Sequence, residues 1–309
     1  MKRVRSNLTV WQRAMVSLVW GCCWFIGLMP HWLRYYVLQE VIYFLVYKCL
    51  RYRVRVVTEN LRNSFPDRPE AELRRIRSAF YHNLSEIFIS TVSQARMTDD
   101  ECRRRVRVRN LDEVLSDLRG RDALLSTAHF GCWEYDSFLA LYTGDHYVAA
   151  VYHPLENKVI DAVYLRLRRR RNIRLIPMKE IIRYYIDHRL PAGAPGQRIG
   201  IGLIADQNPP LRPNSHWFRF LRQDTVFFDG IEKMALKFRM PVYFCSQRRL
   251  RRGYYELEFR RLYDGEEAVP PNEITERYVR QLEKDIEAHP ELWLWSHRRW
   301  KHRRPSCQS

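Results

Sequence analysis

The sequence lacks several features that define common classes of protein. It has no Cys-x-x-Cys pair, and its seven cysteines, with Cys22 and Cys23 adjacent, resemble neither a disulfide framework nor a zinc site. It also has no glycine-rich phosphate loop, internal repeat or low-complexity tract, which argues against nucleotide binding by those routes. We therefore expect a reducing environment and no metal or cofactor.

Acidic residues are also scarce relative to basic ones. The chain has 35 Asp plus Glu against 53 Lys plus Arg, a formal net charge of +18. A field of this sign attracts nucleic acid, acidic proteins or phosphate-bearing membranes. With 309 residues and 46% hydrophobic content, the chain has room for one large domain or two small ones.

The N-terminal region favours a membrane among these partners. The run from Ala14 to Pro30 carries no charge, although its length is at the lower limit for a spanning helix, which needs roughly 17 to 25 residues. No small-residue cleavage site follows, so we interpret the run as a retained anchor rather than a signal peptide. The segment from Tyr35 to Arg55 is apolar, rich in Tyr and ends in cations, which is typical of a headgroup boundary or of a buried core helix.

The body of the chain alternates helical and strand patterns. Apolar residues at three- and four-residue spacing follow Asp67 and Pro69, which predicts an amphipathic helix. Strands are predicted in five later stretches, namely VRVRNLDEVLSDL, DALLSTAHF, HYVAAVYHP, IGLIAD and MPVYFCSQRR. This alternation predicts an α/β domain with a sheet flanked by helices.

One stretch, TAHFGCWEYD at residues 127–136, concentrates reactive side chains. The strand pattern ends just before His129, and a helical pattern begins at Trp133, so the histidine falls where α/β sheets hold ligands. Residues five apart on one helix lie about 140° apart, so His129 and Glu134 meet only if the turn at Gly131 brings them together. Such a pair would make the imidazole a general base.

Spacing alone leaves other interpretations of this stretch open. His129 could be a satisfied histidine in a turn, with Glu134 a capping or surface carboxylate. A Cys132 nucleophile is disfavoured by the tight turn, and a metal site by the absence of further ligands at suitable spacing. If His129 and Glu134 form the catalytic pair, Cys132 is a small apolar filler and Asp136 a helix-face carboxylate.

The sequence AHFGCWE resembles the His-x-x-x-x-Asp/Glu motif of the lysophospholipid acyltransferase superfamily, in the form found in lipid A secondary acyltransferases. Further blocks of the same family are resembled in order across residues 8–305: VTENLRNSFPD, YHPLENK, IGLIADQNPP, FFDGIEKMALKFRMPVYFC and HPELWLWSHRRWKHRRP. The resemblance implies a glycerolipid acyltransferase-like fold, a mixed sheet flanked by helices, preceded by an N-terminal membrane-associated helix. It divides the chain into an anchor and interfacial segment at 1–55 and an acyltransferase domain at 56–309.

The resemblance also implies a reaction. A fatty acyl group passes from an acyl carrier protein thioester to a hydroxyl of a lipid A precursor, with His129 as general base and Glu134 holding and charging the imidazole. The acidic carrier protein, the phosphorylated acceptor and anionic membrane lipid all suit the basic chain. The implied location is the bacterial inner membrane, with the catalytic domain on the cytoplasmic side.

Substrate contacts are expected from residues in the matching blocks, at His153, Asn157, Lys158, Arg166, Asp206 and Gln207. The family usually has arginine where this chain has His153, so a protonated His153, Lys158 or Arg166 would have to supply that cation. Asn157 and Asp206 have a second interpretation as turn-forming residues at strand ends. The cluster from Arg166 to Arg171 could also be a solvated helix face.

Two other functions fit parts of the sequence. The first is an acyltransferase that uses acyl-CoA or acylates an ornithine lipid, a glycolipid or a lysophospholipid. The second is a basic, membrane-associated nucleic-acid binder, which would explain the charge and the aromatics. No recognisable nucleic-acid motif supports it, so we expect no nucleic-acid partner.

Overall fold

Ten helices, besides three 3-10 helices, are found in the computed structural model, which describes residues 8–191 and 193–304; the basic opening at residues 2–5 lies outside these ranges. They are α1 Val10–Leu28, α2 Leu33–Cys49, α3 Val54–Ser64, α4 Glu70–Ser93, α5 Asp99–Arg105, α6 Leu111–Leu118, α7 Lys158–Leu167, α8 Ile181–His188, α9 Gly230–Phe238 and α10 Glu273–Ala288. The amphipathic helix predicted after Pro69 is confirmed as α4, with Glu70 and Glu72 in its first turn, where the helix dipole favours acidic residues.

Seven strands form one sheet in the order β1-β9-β8-β2-β5-β3-β4. The strands of the chain are β1 Val106–Arg109, β2 Ala123–Thr127, β3 Tyr147–Tyr152, β4 Ile173–Pro177, β5 Ile199–Ile204, β6 Phe218–Phe220, β7 Gln223–Thr225, β8 Val242–Arg251 and β9 Tyr254–Tyr263. All pairings within this sheet are parallel except that of β8 with β9, and β6 pairs with β7 as a separate hairpin. The predicted mixed sheet flanked by helices is confirmed.

Both faces of the sheet are covered, and β2 lies at its centre. Leu124 belongs to one buried apolar cluster, with α4 and α10, whereas Ala123 and Leu125 belong to another on the opposite face. This alternation follows from the two-residue period of a strand. A strand buried on both faces reads as the continuous apolar run that the sequence shows.

Two strand predictions need correction. Only VRVR of the stretch VRVRNLDEVLSDL is a strand, because Asn110 adopts a left-handed conformation and α6 begins at the next residue. Strands β4 and β9 were not predicted, since their arginines interrupt the apolar alternation and their order depends on pairing with β3 and β8.

The N-terminal segment forms two helices that meet at a sharp bend. Within the described residues no single helix is long and apolar enough to cross a membrane; α1 and α2 together meet the length and composition criteria, but the axis bends by 111° between them. Helix α2 alternates α-helical and π-helical turns. The domain boundary at residue 55 stays a prediction, and that residue lies within α3.

Many large apolar side chains of α1 and α2 are exposed. They include Val10, Trp11, Leu18, Trp24, Phe25, Leu28, Tyr36, Val37, Val41, Phe44 and Leu45. The opposite side of α1 packs on the body, where Cys23 joins Val92, Val163 and Leu167 in a small buried cluster. Large apolar side chains exposed together in this number mark a candidate interaction surface.

Candidate active site

The predicted turn follows β2 directly and depends on Gly131. Its φ is +60°, and a Cβ at this position would lie 2.5 Å from the Gln247 Oε1 atom. Gln247 also accepts a hydrogen bond from the Cys132 backbone N–H at 2.9 Å, so the turn is fastened to β8. Glycine is therefore required both by the backbone conformation and by the close approach.

His129 is held by Asp206, which follows β5. The His129 Nδ1 atom lies 2.7 Å from Asp206 Oδ1, and the His129 backbone N–H donates to Asp206 Oδ2 at 3.0 Å. The indole N–H of Trp293 donates to the same Oδ2 atom at 2.9 Å. Burial by itself raises the pKa of the Asp206 carboxyl, but the imidazole and these hydrogen bonds outweigh it, so the pKa lies below its usual range.

This arrangement selects one tautomer of the neutral imidazole. An ionised Asp206 only accepts hydrogen bonds, so Nδ1 carries the proton and Nε2 keeps its lone pair. The Gln207 amide nitrogen lies 3.2 Å from Nε2 and can donate to it. The histidine side chain is 18% exposed, so the basic nitrogen lies at the edge of the fold rather than deep within it.

Glu134, the predicted partner of His129, has a different partner in the structure. Glu134 forms a two-bond pair with Arg168, whose Nε and Nη2 atoms lie 2.8 and 2.6 Å from its carboxylate oxygens. The residues from Trp133 to Leu141 form a 3-10 helix rather than the predicted α-helix, and Glu134 points toward the end of α7. Burial lowers the pKa of Arg168, but Glu134 more than compensates, so the guanidinium stays charged.

The other two reactive side chains of the turn, Cys132 and Asp136, pack against or bond to the fold. Cys132 is fully buried and burial raises its pKa well above the usual range, which agrees with a filler and not with a nucleophile. Asp136 lies on the 3-10 helix and is partly buried, where it accepts hydrogen bonds from Thr127 and Gln247. Burial raises the pKa of Asp136 to about 7.

The expected substrate residues divide into two groups. Asp206 and Gln207 contact His129 directly, as described above. His153 is exposed and its ring bonds only the neighbouring Pro154 carbonyl, at 3.0 Å, while Lys158 is exposed in the first turn of α7. Asn157 caps α7 by accepting from the backbone of Val159 and Ile160, which is its turn-forming interpretation.

Two cations of the arginine cluster have partners that sequence reasoning missed. Arg166 lies with its guanidinium carbon 3.8 Å from the ring centre of Trp20 on α1, so it joins α7 to the N-terminal helix. Arg168, interpreted earlier as part of a solvated face, pairs with Glu134. The sequence shows only that Arg166 and Arg168 lie two residues apart near the end of a short helix. That spacing does not predict which side chain each arginine contacts.

The C-terminal segment binds the turn through backbone hydrogen bonds. The Gly131 N–H donates to the Leu292 carbonyl at 2.9 Å, and the Leu294 N–H donates to the His129 carbonyl at 3.1 Å. Trp295 is completely buried. Glu232, in another matching block, accepts from the backbone of Asn272 and Thr275 and so caps α10 rather than joining the site.

Two further basic side chains of this segment lie near Asp206, the buried Arg299 and the partly buried His297. Burial lowers the pKa of His297 to about 4 and that of Arg299 to about 10. Arg299 donates to Asn208 and to the Val226 carbonyl, which holds the chain that follows Gln207. The described residues contain no group of three or more His, Cys, Asp or Glu side chains arranged to hold a metal ion.

A sheet that presents a histidine and a buried carboxylate at the carboxyl ends of two adjacent parallel strands is suited to general-base chemistry on a hydroxyl. The model of the family described as bacterial lipid A biosynthesis acyltransferase matches residues 1–302. The chain belongs to this acyltransferase family, and the resemblance expected from its motifs is confirmed. No curated protein matches the chain.

Proposed function

We propose that the chain is a lipid A secondary acyltransferase, which moves a fatty acyl group from an acyl carrier protein thioester to a hydroxyl of a lipid A precursor. The observation that carries the proposal is the His129–Asp206 pair, at the carboxyl end of two central strands in a chain of this family. His129 Nε2 is the base, and Asp206 orients the imidazole and stabilises its protonated form.

The reaction needs no covalent enzyme intermediate. The acceptor hydroxyl replaces the Gln207 amide at Nε2, and its oxygen attacks the thioester carbonyl carbon while its proton passes to Nε2. The tetrahedral intermediate collapses by expelling the carrier-protein thiolate, which takes that proton from the imidazolium. The products are an ester and a free thiol, so atoms and charge balance.

Two groups near the turn are suited to stabilise the oxyanion. Within the described residues the N-cap Cys132 makes no side-chain hydrogen bond to the 3-10 helix that begins at Trp133, so the N–H groups of Trp133 and Glu134 are candidate donors. Arg168 is the second group, because Glu134 holds its guanidinium beside the turn. In this proposal Glu134 acts by positioning Arg168, and not by charging the imidazole.

Membrane attachment is the second part of the proposal. The exposed apolar side chains of α1 and α2 would lie in the interface of the inner membrane, on its cytoplasmic side. The formal charge of +18 supports attraction to anionic lipid, to an acidic carrier protein and to a phosphorylated acceptor.

The proposal is tested with membranes that contain the full chain, labelled acyl carrier protein thioester and a tetra-acylated lipid A precursor. We expect transfer of label to the lipid, and a loss of at least about 100-fold for His129→Ala, since a general base contributes roughly 10²- to 10⁴-fold. His188→Ala is the control, because that exposed histidine lies at the end of α8 and has no part in the proposed site.

Each alternative has its own outcome in this assay. Transfer from acyl-CoA but not from the carrier-protein thioester would contradict the proposed donor. Transfer to an ornithine lipid, a glycolipid or a lysophospholipid in place of the lipid A precursor would contradict the acceptor. Full transfer by His129→Ala would contradict the mechanism.

A further inference from the structure

A large cavity opens at the end of the sheet opposite His129. Its volume is about 960 Å³, and its walls include the residues just before β2, β5 and β8 and the ends of α8 and α9. At 3.3 Å per residue, the five residues of β2 separate it from the His129 site by about 17 Å. It is large enough for a small organic ligand.

Arginines dominate the polar lining of this cavity. Arg121, Arg189, Arg198 and Arg239 line it, against two carboxylates, Asp122 and Glu266. In the described part of the chain only Arg121 of the four forms ion pairs, with Asp117 and Glu266. Asp122 already accepts the Ile199 backbone N–H at 2.8 Å. The balance of charge facing the cavity is positive.

Arg198 makes this balance unusual because it is 1% exposed. Its guanidinium donates to three backbone carbonyls, those of Leu190, Pro191 and Ala194, and to no carboxylate. Burying a charge without an opposite charge is costly, and an anion bound nearby would offset that cost. Asp122 acts on Arg198 through its charge, but within the described residues no carboxylate forms an ion pair with Arg198, and its buried Nε atom has no hydrogen-bond partner.

The remaining lining is apolar. Ile186, Leu236, Phe238 and Met240 contribute, and Ile186 and Leu236 are 48% and 43% exposed. The guanidinium carbon of Arg189 lies 5.4 Å from the ring centre of Phe238, so a cation stands directly beside an apolar surface. A ligand that meets both has an anionic group joined to an apolar body.

We infer that this cavity is a second ligand site, for an anionic amphiphile with a phosphate or carboxylate group and an apolar chain. Arg189 and Arg239 bind the anionic group, Arg198 adds its buried charge, and the apolar chain lies against Phe238 and Leu236. The inference does not depend on the reaction at His129, since it uses different residues at the other end of the sheet.

The test measures binding of octyl phosphate and octanoate to the full chain by calorimetry, with inorganic phosphate and 1-octanol as probes that carry only one of the two features. We expect both amphiphiles to bind at least tenfold more tightly than either single-feature probe. The double variant Arg189→Gln with Arg239→Gln should weaken amphiphile binding at least tenfold. Arg183→Gln, an exposed arginine on the same helix α8, is the matched control and should bind as the unmodified chain does.

Two further measurements separate this site from the other one and from misfolding. His129→Ala should leave amphiphile binding unchanged, whereas a loss in that variant would place the ligand at the other end of the sheet. Arg189 and Arg239 are exposed, so we expect the double variant to keep the melting temperature within a few degrees. Unchanged binding in the folded double variant, or equal binding of inorganic phosphate, would overturn the inference.

Discussion

Among single residues, Asp206 is the one that positions the proposed base. It receives hydrogen bonds from the His129 ring, the His129 backbone and the Trp293 indole, and so fixes the position and tautomer of the base. We expect Asp206→Asn to lower kcat by roughly 10²- to 10⁴-fold with a smaller change in KM, because an amide does not stabilise the imidazolium. Steady-state kinetics on the lipid acceptor checks this, and an unchanged kcat would contradict it.

Asp136 makes the stability of the fold depend on pH. Burial raises its folded pKa to about 7, above the unfolded value of 3.8, so the folded state binds more protons between these two values. The free energy of unfolding therefore falls as pH rises from about 4 to 7, by on the order of 2–4 kcal/mol. Asp136→Asn should remove this loss, as measured by urea denaturation at pH 5 and pH 8.

Asp145→Asn is the control for that measurement, because Asp145 is an exposed carboxylate in the same region of the chain. Equal changes in the two variants would contradict the prediction.

The low folded pKa of Asp206 affects stability at lower pH. Its contribution to stability is present above the unfolded pKa of about 3.8 and is lost as pH falls through the lower folded value.

The Glu134–Arg168 pair should behave as a coupled unit. Removing one partner leaves the other charge partly buried without compensation, so Glu134→Gln and Arg168→Gln each destabilise the fold, and the double variant loses less than their sum. We expect a coupling free energy of about 0.5–3 kcal/mol in a double-mutant cycle measured by denaturation. Arg169→Gln, an exposed neighbour, supplies the control cycle, and additive effects would contradict the pair.

Among the helices, α1 has one side that packs on the body of the protein and one side that is exposed. One side packs on α7 through Cys23, Val163, Leu167 and the Trp20–Arg166 contact. Since Arg168 is the C-cap of α7, this packing supports the residue that holds Glu134. The N-terminal helix is thus part of the site's framework.

Trp20→Ala therefore should lower kcat, by about 3- to 10-fold, because loss of the cation–π contact loosens α7. Trp11→Ala is the matched control: Trp11 lies on the same helix, is 73% exposed and should leave kcat in detergent unchanged. Both rates are measured in detergent, so that membrane attachment does not contribute. Equal rates for the two variants would contradict the coupling of α1 to the site.

The whole molecule combines a basic charge with an apolar N-terminal surface. These two features predict different responses to salt. Electrostatic attachment weakens as ionic strength rises, whereas burial of apolar side chains in the lipid does not. We expect the chain to stay with anionic vesicles in 1 M salt in a sedimentation assay.

Replacing Trp11, Leu18 and Phe25 of α1 by Ser should reduce that partitioning at least about tenfold, since each large side chain contributes roughly 1.5–3 kcal/mol on burial. Replacing Arg55, Arg62 and Arg74 by Gln is the charge control, and should weaken binding in low salt alone. Retention of the Ser variant in 1 M salt would contradict attachment through α1.

Four features could be predicted from the sequence: the class of sheet, the start of α4, the place of His129 after a buried strand and the need for Gly131 in the turn. These follow from local periodicity and from backbone conformations that particular residues favour. The family also follows from the sequence, because its motifs occur in order along the chain.

The side chains that Glu134 and His129 contact could not be predicted from the sequence and depend on the tertiary fold. Glu134 is five residues from His129 but pairs with Arg168, whereas Asp206 is 77 residues away and holds the imidazole. The same is true of Trp293 and Gln247, which reach the turn from the C-terminal segment and from β8. Side chains from separate strands meet only when the sheet order β8-β2-β5 is formed, and no spacing along the chain encodes that order directly.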